Sequence, residues 1–152
     1  MLKYYDFKDM TKDKSRQRKV AASHTGSKIS DGHGEAKTCV LVVDDDEKIL
    51  RFLSSSLRLA GYDIMTCTSG EEALQLAESA KPQCIVLDIL MSPVDGFEVL
   101  SRLRATSKMP VIAISAHASN AGQALSLGAN VFLAKPFRPD ELVKIIQALL
   151  KQ

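Results

Sequence analysis

The amino-acid sequence predicts an α/β domain in which helices cover both faces of a parallel β-sheet. Short apolar runs typical of buried strands alternate five times with stretches in which apolar residues recur at helical spacing. Such alternation is the signature of successive βα units, whose right-handed connections place helices on the two faces of the sheet. A chain of 152 residues is long enough for one such domain and an additional segment. We therefore divide the chain into an N-terminal extension, residues 1–37, and one domain, residues 38–152.

The five apolar runs give the expected strands, which lie at about residues 38–43, 62–67, 83–88, 110–114 and 130–134. The first helix is expected between the first two strands and before Gly61, which suits the left-handed residue at a helix end. Its apolar residues repeat at near-helical spacing: Ile49, Leu50, Phe52, Leu53, Leu57 and Leu59.

The second helix is expected to begin after Ser69, because Glu72 follows at the spacing of a capping box. Its apolar residues, expected to face the sheet, are Ala73, Leu74, Leu76 and Ala77. The remaining helices are expected at 97–105, 118–127 and 139–150. Pro139 suits a first-turn position, whereas Gly122 weakens the fourth helix.

Composition is typical of a globular protein, with 45% hydrophobic and 25% charged residues. The apolar runs are shorter than the roughly 18 residues that indicate a membrane span, and the N-terminus lacks the apolar segment of a signal peptide. Cys39, Cys67 and Cys84 fall in predicted strands without metal-ligand spacing, which favours buried free thiols in a reducing compartment. We therefore expect a cytoplasmic protein.

The N-terminal extension is basic, whereas the domain is mildly acidic. Residues 1–37 contain nine Lys or Arg and five Asp or Glu, against eleven and thirteen in residues 38–152. Residues 11–37 are polar and show no sustained periodicity, so we expect a disordered or irregular segment. Two interpretations stay open: the extension binds nucleic acid, an anionic membrane or a protein partner, or it is a solvated extension, which we favour.

Carboxylates follow two of the predicted strands. Asp44, Asp45 and Asp46 come directly after the first apolar run, and Asp88 ends the third. Because the carboxyl ends of parallel strands lie on the same side of a sheet, these acids are expected at one edge and require a compensating cation. A cluster of oxygen ligands favours Mg²⁺ over zinc.

Two further strand ends present Ser115 and Lys135. Here the chain resembles the receiver domain of two-component response regulators, over roughly residues 38 to 152. Five separated motifs carry the resemblance in one order: Val40-Leu41-Val42-Val43-Asp44-Asp45-Asp46, Asp88, Asp95-Gly96, Ser115-Ala116 and Lys135-Pro136-Phe137. It implies a flavodoxin-like fold with strand order 2-1-3-4-5 and, in our interpretation, Asp44, Asp88 and Lys135 at the ends of adjacent strands.

The resemblance also implies the site residues. Asp88 is the expected phosphoacceptor, and Mg²⁺ is expected to be held by Asp88, Asp44, Asp45 and the backbone carbonyl of Leu90. Lys135 would supply a second positive charge, before a cis bond to Pro136. Asp46 fits the N-cap of the first helix instead.

Other positions are expected to control the response. The hydroxyl of Ser115 would bond a phosphoryl oxygen, and Phe132 is the expected switch aromatic. In the family that the chain resembles, the positions of Leu90 and His117 tune dephosphorylation; since leucine cannot orient water, we expect slow loss of phosphate, which His117 could partly offset. The loop after Asp88 departs from the family pattern, because Ser92 replaces the frequent proline and Pro93 follows it.

The function implied is a phosphorylation-controlled signalling switch rather than an enzyme. The expected donor is a sensor histidine kinase or a histidine phosphotransfer protein. The target would bind through the fourth helix, fifth strand and fifth helix, the surface that would also serve a homodimer. Because the sequence ends just after the fifth helix, we expect a single-domain regulator. Two alternatives are a degenerate receiver acting only as an interaction module and a Mg²⁺-dependent phosphatase of the haloacid-dehalogenase type, whose two-residue Asp spacing occurs in residues 44–46.

Overall fold

In a computed structural model of the chain, the described residues are 3–4 and 35–151. Their strands are β1 (Lys3–Tyr4), β2 (Cys39–Val43), β3 (Asp63–Cys67), β4 (Cys84–Asp88), β5 (Val111–Ser115) and β6 (Val131–Ala134). Their α-helices are α1 (Glu47–Leu59), α2 (Gly70–Ser79), α3 (Gly96–Arg104), α4 (Ala121–Ser126) and α5 (Pro139–Leu150). A 3₁₀ turn, Ala118–Asn120, leads into α4.

The strands form one parallel sheet in the order β1-β6-β5-β4-β2-β3. The five predicted strands are β2 to β6, and their order is the predicted 2-1-3-4-5. The additional strand β1 lies in the predicted N-terminal extension and pairs with β6 through Lys3↔Val131 and Tyr4↔Phe132. Two residues are too few to show a strand period, which is why the sequence did not predict it. Most of the predicted irregular segment lies outside the described residues, which do not include residues 1–2 and 5–34. The interpretations of the extension as a binding segment therefore stay predictions.

Helices cover both faces of the sheet, so β4 and β5 are buried along their whole length. Alternate strand residues enter two hydrophobic layers. One layer includes Leu41, Leu87 and Phe132 and packs against α2, α3 and α4. The other includes Val42 and Val86 and packs against α1 and α5. No helix within residues 35–151 is long and apolar enough to cross a membrane.

Several helix ends are confirmed. Glu72 N donates to Ser69 Oγ at 3.3 Å, Gly61 has a φ of +99°, and α5 begins at Pro139 as predicted. Of the four α2 residues expected to face the sheet, Ala73 and Ala77 are buried, whereas the two leucines only pack partly against the core.

The fourth helix is shorter than predicted. Its first predicted turn is the 3₁₀ turn, and α4 has only six residues without a side-chain cap at its start. Gly122 and the missing cap explain the weak start. The first helix is present as α1, although two of its apolar residues, Phe52 and Leu59, are 59% and 90% exposed.

The three cysteines are free thiols. Burial raises the pKa of Cys67 and of Cys84 to about 12, so both stay neutral at physiological pH. Cys39 is half-buried rather than buried. Cys67 and Cys84 pack in the two hydrophobic layers as buried free thiols, as expected.

Candidate functional site

Three carboxylates converge at the carboxyl ends of β2 and β4. Val43 and Leu87 are partners in the parallel ladder, so the residues that follow them, Asp44 and Asp88, lie side by side. Oxygens of Asp44, Asp45 and Asp88 all lie within 4.8 Å of one another. Asp44 and Asp88 are only 1% and 3% exposed, whereas Asp45 is exposed. The predicted acidic cluster is therefore present.

Lys135 reaches this cluster from a more distant strand than expected. It follows β6, which is separated from β4 by β5, so the expectation that Asp44, Asp88 and Lys135 end adjacent strands is wrong for the lysine. Its long side chain spans the gap, and Nζ lies 2.8 Å from Asp44 Oδ2 and 3.3 Å from Asp88 Oδ2. The backbone N–H of Lys135 donates to Ser115 O at 2.8 Å, and the Lys135–Pro136 bond is cis as predicted.

Burial and the neighbouring charges shift the pKa values of Asp88 and Lys135. Burial, and next the negative charge of Asp44, raise the pKa of Asp88 to about 6, although the Lys135 ammonium opposes the rise. Burial lowers the pKa of Lys135, but the hydrogen bond to Asp44 and the charge of Asp88 outweigh it, so its pKa is raised. One ammonium thus faces three carboxylates. An all-oxygen donor set with excess negative charge fits a Mg²⁺ ion.

Backbone amides orient the carboxylates. Asp88 Oδ1 accepts from Leu90 N at 3.1 Å, and Asp44 Oδ1 accepts from Asp46 N at 2.9 Å. Asp46 turns away from the cluster and accepts from Lys48 N at 2.9 Å, which is the predicted N-cap of α1. Leu90 thus contributes its N–H to Asp88, whereas metal binding by its carbonyl stays a prediction. Its side chain is 44% exposed beside the phosphoacceptor candidate.

The Asp95-Gly96 motif fixes the loop after Asp88. Asp95 Oδ1 accepts from Glu98 N at 2.9 Å and caps α3, while Gly96 N donates to Ile89 O at 2.9 Å. A Cβ on Gly96 would lie 2.5 Å from Ile89 Cα and would also collide with the Asp88 carbonyl, so only glycine allows this approach. The altered loop between Asp88 and Asp95 contains a second cis peptide bond, Ser92–Pro93, which the sequence did not predict.

Ser115 is fully buried at the end of β5, and its hydroxyl bonds to the loop that follows. Oγ accepts from His117 N at 3.1 Å and from Asn120 Nδ2 at 3.0 Å. Sequence reasoning missed Asn120, because no motif includes it and only the folded turn brings it back to Ser115. His117 contributes its amide while its side chain is exposed. Phe132 is fully buried in the hydrophobic layer that packs against α2, α3 and α4, and its switching role stays a prediction.

Comparison with known proteins decides the family. The family model for the response regulator receiver domain matches residues 40–147. The chain therefore belongs to the response regulator receiver domain family. This receiver domain is 40% identical over 116 residues to the alkaline phosphatase synthesis transcriptional regulatory protein PhoP of Bacillus subtilis, covering 74% of this chain and 48% of PhoP. It is 42% identical over 122 residues to the transcriptional regulatory protein PrrA of Mycobacterium leprae, covering 78% and 52%.

Solved structures agree with the assignment. A putative response regulator from Chloroflexus aurantiacus matches with a TM-score of 0.73 and 34% identity over 77% of this chain and 100% of its own. The receiver domain of the Francisella response regulator 1452 matches with a TM-score of 0.72 and 36% identity, covering 76% and 98%. The chain spans about half the length of the curated relatives it matches, so the match concerns only part of each of them. This protein thus carries a module of two-component signalling.

Proposed function

We propose that this receiver domain is a phosphorylation-controlled switch that accepts a phosphoryl group from a phosphohistidine onto Asp88. One observation carries the proposal: the carboxylates of Asp44, Asp45 and Asp88 lie within 4.8 Å of one another, and Lys135 Nζ contacts two of them. A cluster of three carboxylates, two of them buried, together with one ammonium is suited to hold a cation and a phosphoryl group.

The reaction assigns a separate task to each side chain. An Asp88 oxygen attacks phosphorus, the phosphorus–nitrogen bond of the phosphohistidine breaks, and the released imidazole nitrogen keeps the electron pair and takes up a proton. Asp44, Asp45, Asp88 and the Leu90 carbonyl would hold Mg²⁺, which would supply positive charge to the phosphoryl oxygens. Lys135 holds Asp88 in place and adds a second positive charge, and Ser115 offers a hydroxyl to the product.

The two alternatives receive less support. A haloacid-dehalogenase phosphatase needs a free second aspartate two residues after the nucleophile, but Asp46 is committed to the N-terminus of α1. A degenerate interaction module has no need of three converging carboxylates and a lysine in contact with two of them. We therefore favour a signalling module whose only chemistry is its own phosphorylation and dephosphorylation.

The partners follow from the same proposal. The phosphoryl donor is a sensor histidine kinase or a histidine phosphotransfer protein, in the cytoplasm. The target, or a second copy of the domain, binds the surface of α4, β6 and α5. PhoP and PrrA are named as transcriptional regulators, and the match covers 48% and 52% of their lengths, so the single-domain form remains a proposal. The apparent mass of the protein in its native cells, detected by antibody, distinguishes a receiver alone from a longer regulator.

Phosphorylation by a small donor tests the proposal. The wild type, Asp88→Asn and the matched control Asp63→Asn, which changes an exposed acid at the start of β3, are incubated with acetyl phosphate with and without Mg²⁺. We expect one phosphoryl adduct by intact mass in the wild type and the control, dependent on Mg²⁺, and none in Asp88→Asn. An adduct that persists in Asp88→Asn contradicts the proposal, and multiple turnover of small phosphomonoesters would favour the phosphatase.

A further inference from the structure

The Ser115 hydroxyl is held by two donors that both belong to the loop after β5. His117 N and Asn120 Nδ2 donate to Oγ at 3.1 Å and 3.0 Å, and neither belongs to β4, which carries Asp88. A hydroxyl oxygen has two acceptor sites, so both are in use and only its hydrogen remains for another partner. Ser115 itself is fully buried, so its rearrangement depends on these bonds rather than on competing solvent.

The two donors differ in what they connect. His117 N belongs to the same three-residue turn as Ser115 and can move with it. Asn120 ends the 3₁₀ turn and stands at the N-cap position of α4, so its bond ties Ser115 to the start of a helix. A movement of Ser115 away from α4 therefore stretches the Asn120 bond.

Asn120 does not have the ordinary role of an asparagine at a helix start. Its backbone is αR, with φ −74° and ψ −11°, and its side chain makes no capping hydrogen bond to α4. Asparagine is a preferred N-cap because it bonds amides of the first turn, usually from an extended backbone. Here the side-chain amide of Asn120 donates to Ser115 instead, so replacing Asn120 removes no helix cap.

We propose that Asn120 is a positioning residue that restrains Ser115, holding its hydroxyl on the α4 side and opposing its bond to a phosphoryl group on Asp88. The inference rests on the proposed phosphorylation of Asp88. The restraint sets the balance between two positions of Ser115, because a phosphoryl oxygen that accepts the hydroxyl hydrogen must draw Ser115 away from Asn120. Loss of this bond shifts the balance toward engagement.

Binding of beryllofluoride, a phosphoryl analogue, measures the restraint. At fixed Mg²⁺, we expect Asn120→Ala to bind beryllofluoride about fivefold more tightly than the wild type, the ratio that loss of one neutral hydrogen bond produces. Asn120→Leu keeps a branched side chain of similar shape and is expected to show the same gain. Gln123→Ala removes an exposed amide from the same helix and is expected to leave the affinity unchanged.

A double-mutant cycle shows whether the effect passes through Ser115. In a Ser115→Ala background, Asn120→Ala should change the affinity less than twofold, because no hydroxyl remains to restrain. If the gain in affinity persists in this background, the inference about Asn120 is wrong. It is also wrong if both Asn120 variants bind beryllofluoride no more tightly than the wild type, and neither result affects the proposed phosphorylation of Asp88. A wild type that binds no beryllofluoride, or binding that survives Asp88→Asn, overturns the proposed function and the restraint with it.

Discussion

Replacing Asp88 with asparagine should stabilise the protein in Mg²⁺-free buffer. The raised pKa of Asp88, about 6 against an ordinary 3.8, means that its ionised form is disfavoured in the folded protein. Asparagine keeps the shape and still accepts from Leu90 N, while Lys135 retains its contact with Asp44 at 2.8 Å. The substitution therefore removes repulsion and burial cost without orphaning a partner.

The magnitude follows from the pKa. A rise from 3.8 to about 6 corresponds to about 3 kcal/mol at most for the ionised form. Water and salt reach the site beside the exposed Asp45, and the substitution also removes the ion pair between Asp88 and Lys135. We therefore expect the free energy of unfolding to rise by about 1 to 2 kcal/mol.

The direction in which this gain in stability changes with pH also follows from the raised pKa of Asp88. A carboxyl whose folded pKa is raised binds its proton more tightly in the folded state, so wild-type stability falls as pH rises from the unfolded pKa through the folded one. The advantage of Asp88→Asn should be full above about pH 7 and vanish near about pH 4.

Urea unfolding in EDTA across this pH range measures the difference. Asp63→Asn, an exposed acid outside the cluster, should stay within about 0.5 kcal/mol of the wild type. An Asp88→Asn protein that is less stable than the wild type at neutral pH, or equally stabilised at acid pH, would refute this account of the site.

Three further predictions concern residues around the site. Lys135→Met leaves two buried carboxylates without their ammonium and should lower the free energy of unfolding in EDTA by about 3 kcal/mol; an unchanged free energy of unfolding in urea would contradict the role. Gly96→Ala should cost about 2 kcal/mol or more by thermal unfolding because its Cβ meets backbone, whereas Gly122→Ala, where nothing lies within 4 Å, should be neutral or stabilising. Leu90→Asn changes a 44% exposed side chain and should leave stability unchanged while accelerating loss of the phosphoryl group, measured by decay of the adduct; an unaltered decay rate would remove Leu90 from the tuning role.

Features written in local sequence were predictable. The five strands of the domain, the cap at Ser69 and the proline at the start of α5 each depend on a few neighbouring residues. The acidic cluster was also predictable, because parallel strands bring their carboxyl ends to one side whatever the details of packing. The family resemblance supplied the strand order, which periodicity alone does not contain.

Features that depend on tertiary structure were not predictable. The strand order implied by the resemblance already separates the strand before Lys135 from the other two, but only the folded structure shows that its side chain reaches past β5 and β4 to Asp44. Apolarity alone does not distinguish the exposed Phe52 from the buried Leu53 beside it. The Asn120 bond to Ser115 requires a 3₁₀ turn where the sequence predicted regular helix.

The location of the phosphoryl group tests the central claim most directly. After reaction with acetyl phosphate and Mg²⁺, hydroxylamine converts an aspartyl phosphate to a hydroxamate, which peptide mass spectrometry assigns to one residue. The account predicts a hydroxamate at Asp88 in the wild type and none in Asp88→Asn. A hydroxamate at Asp44 or Asp45, or a phosphoryl group on another kind of side chain, would contradict it.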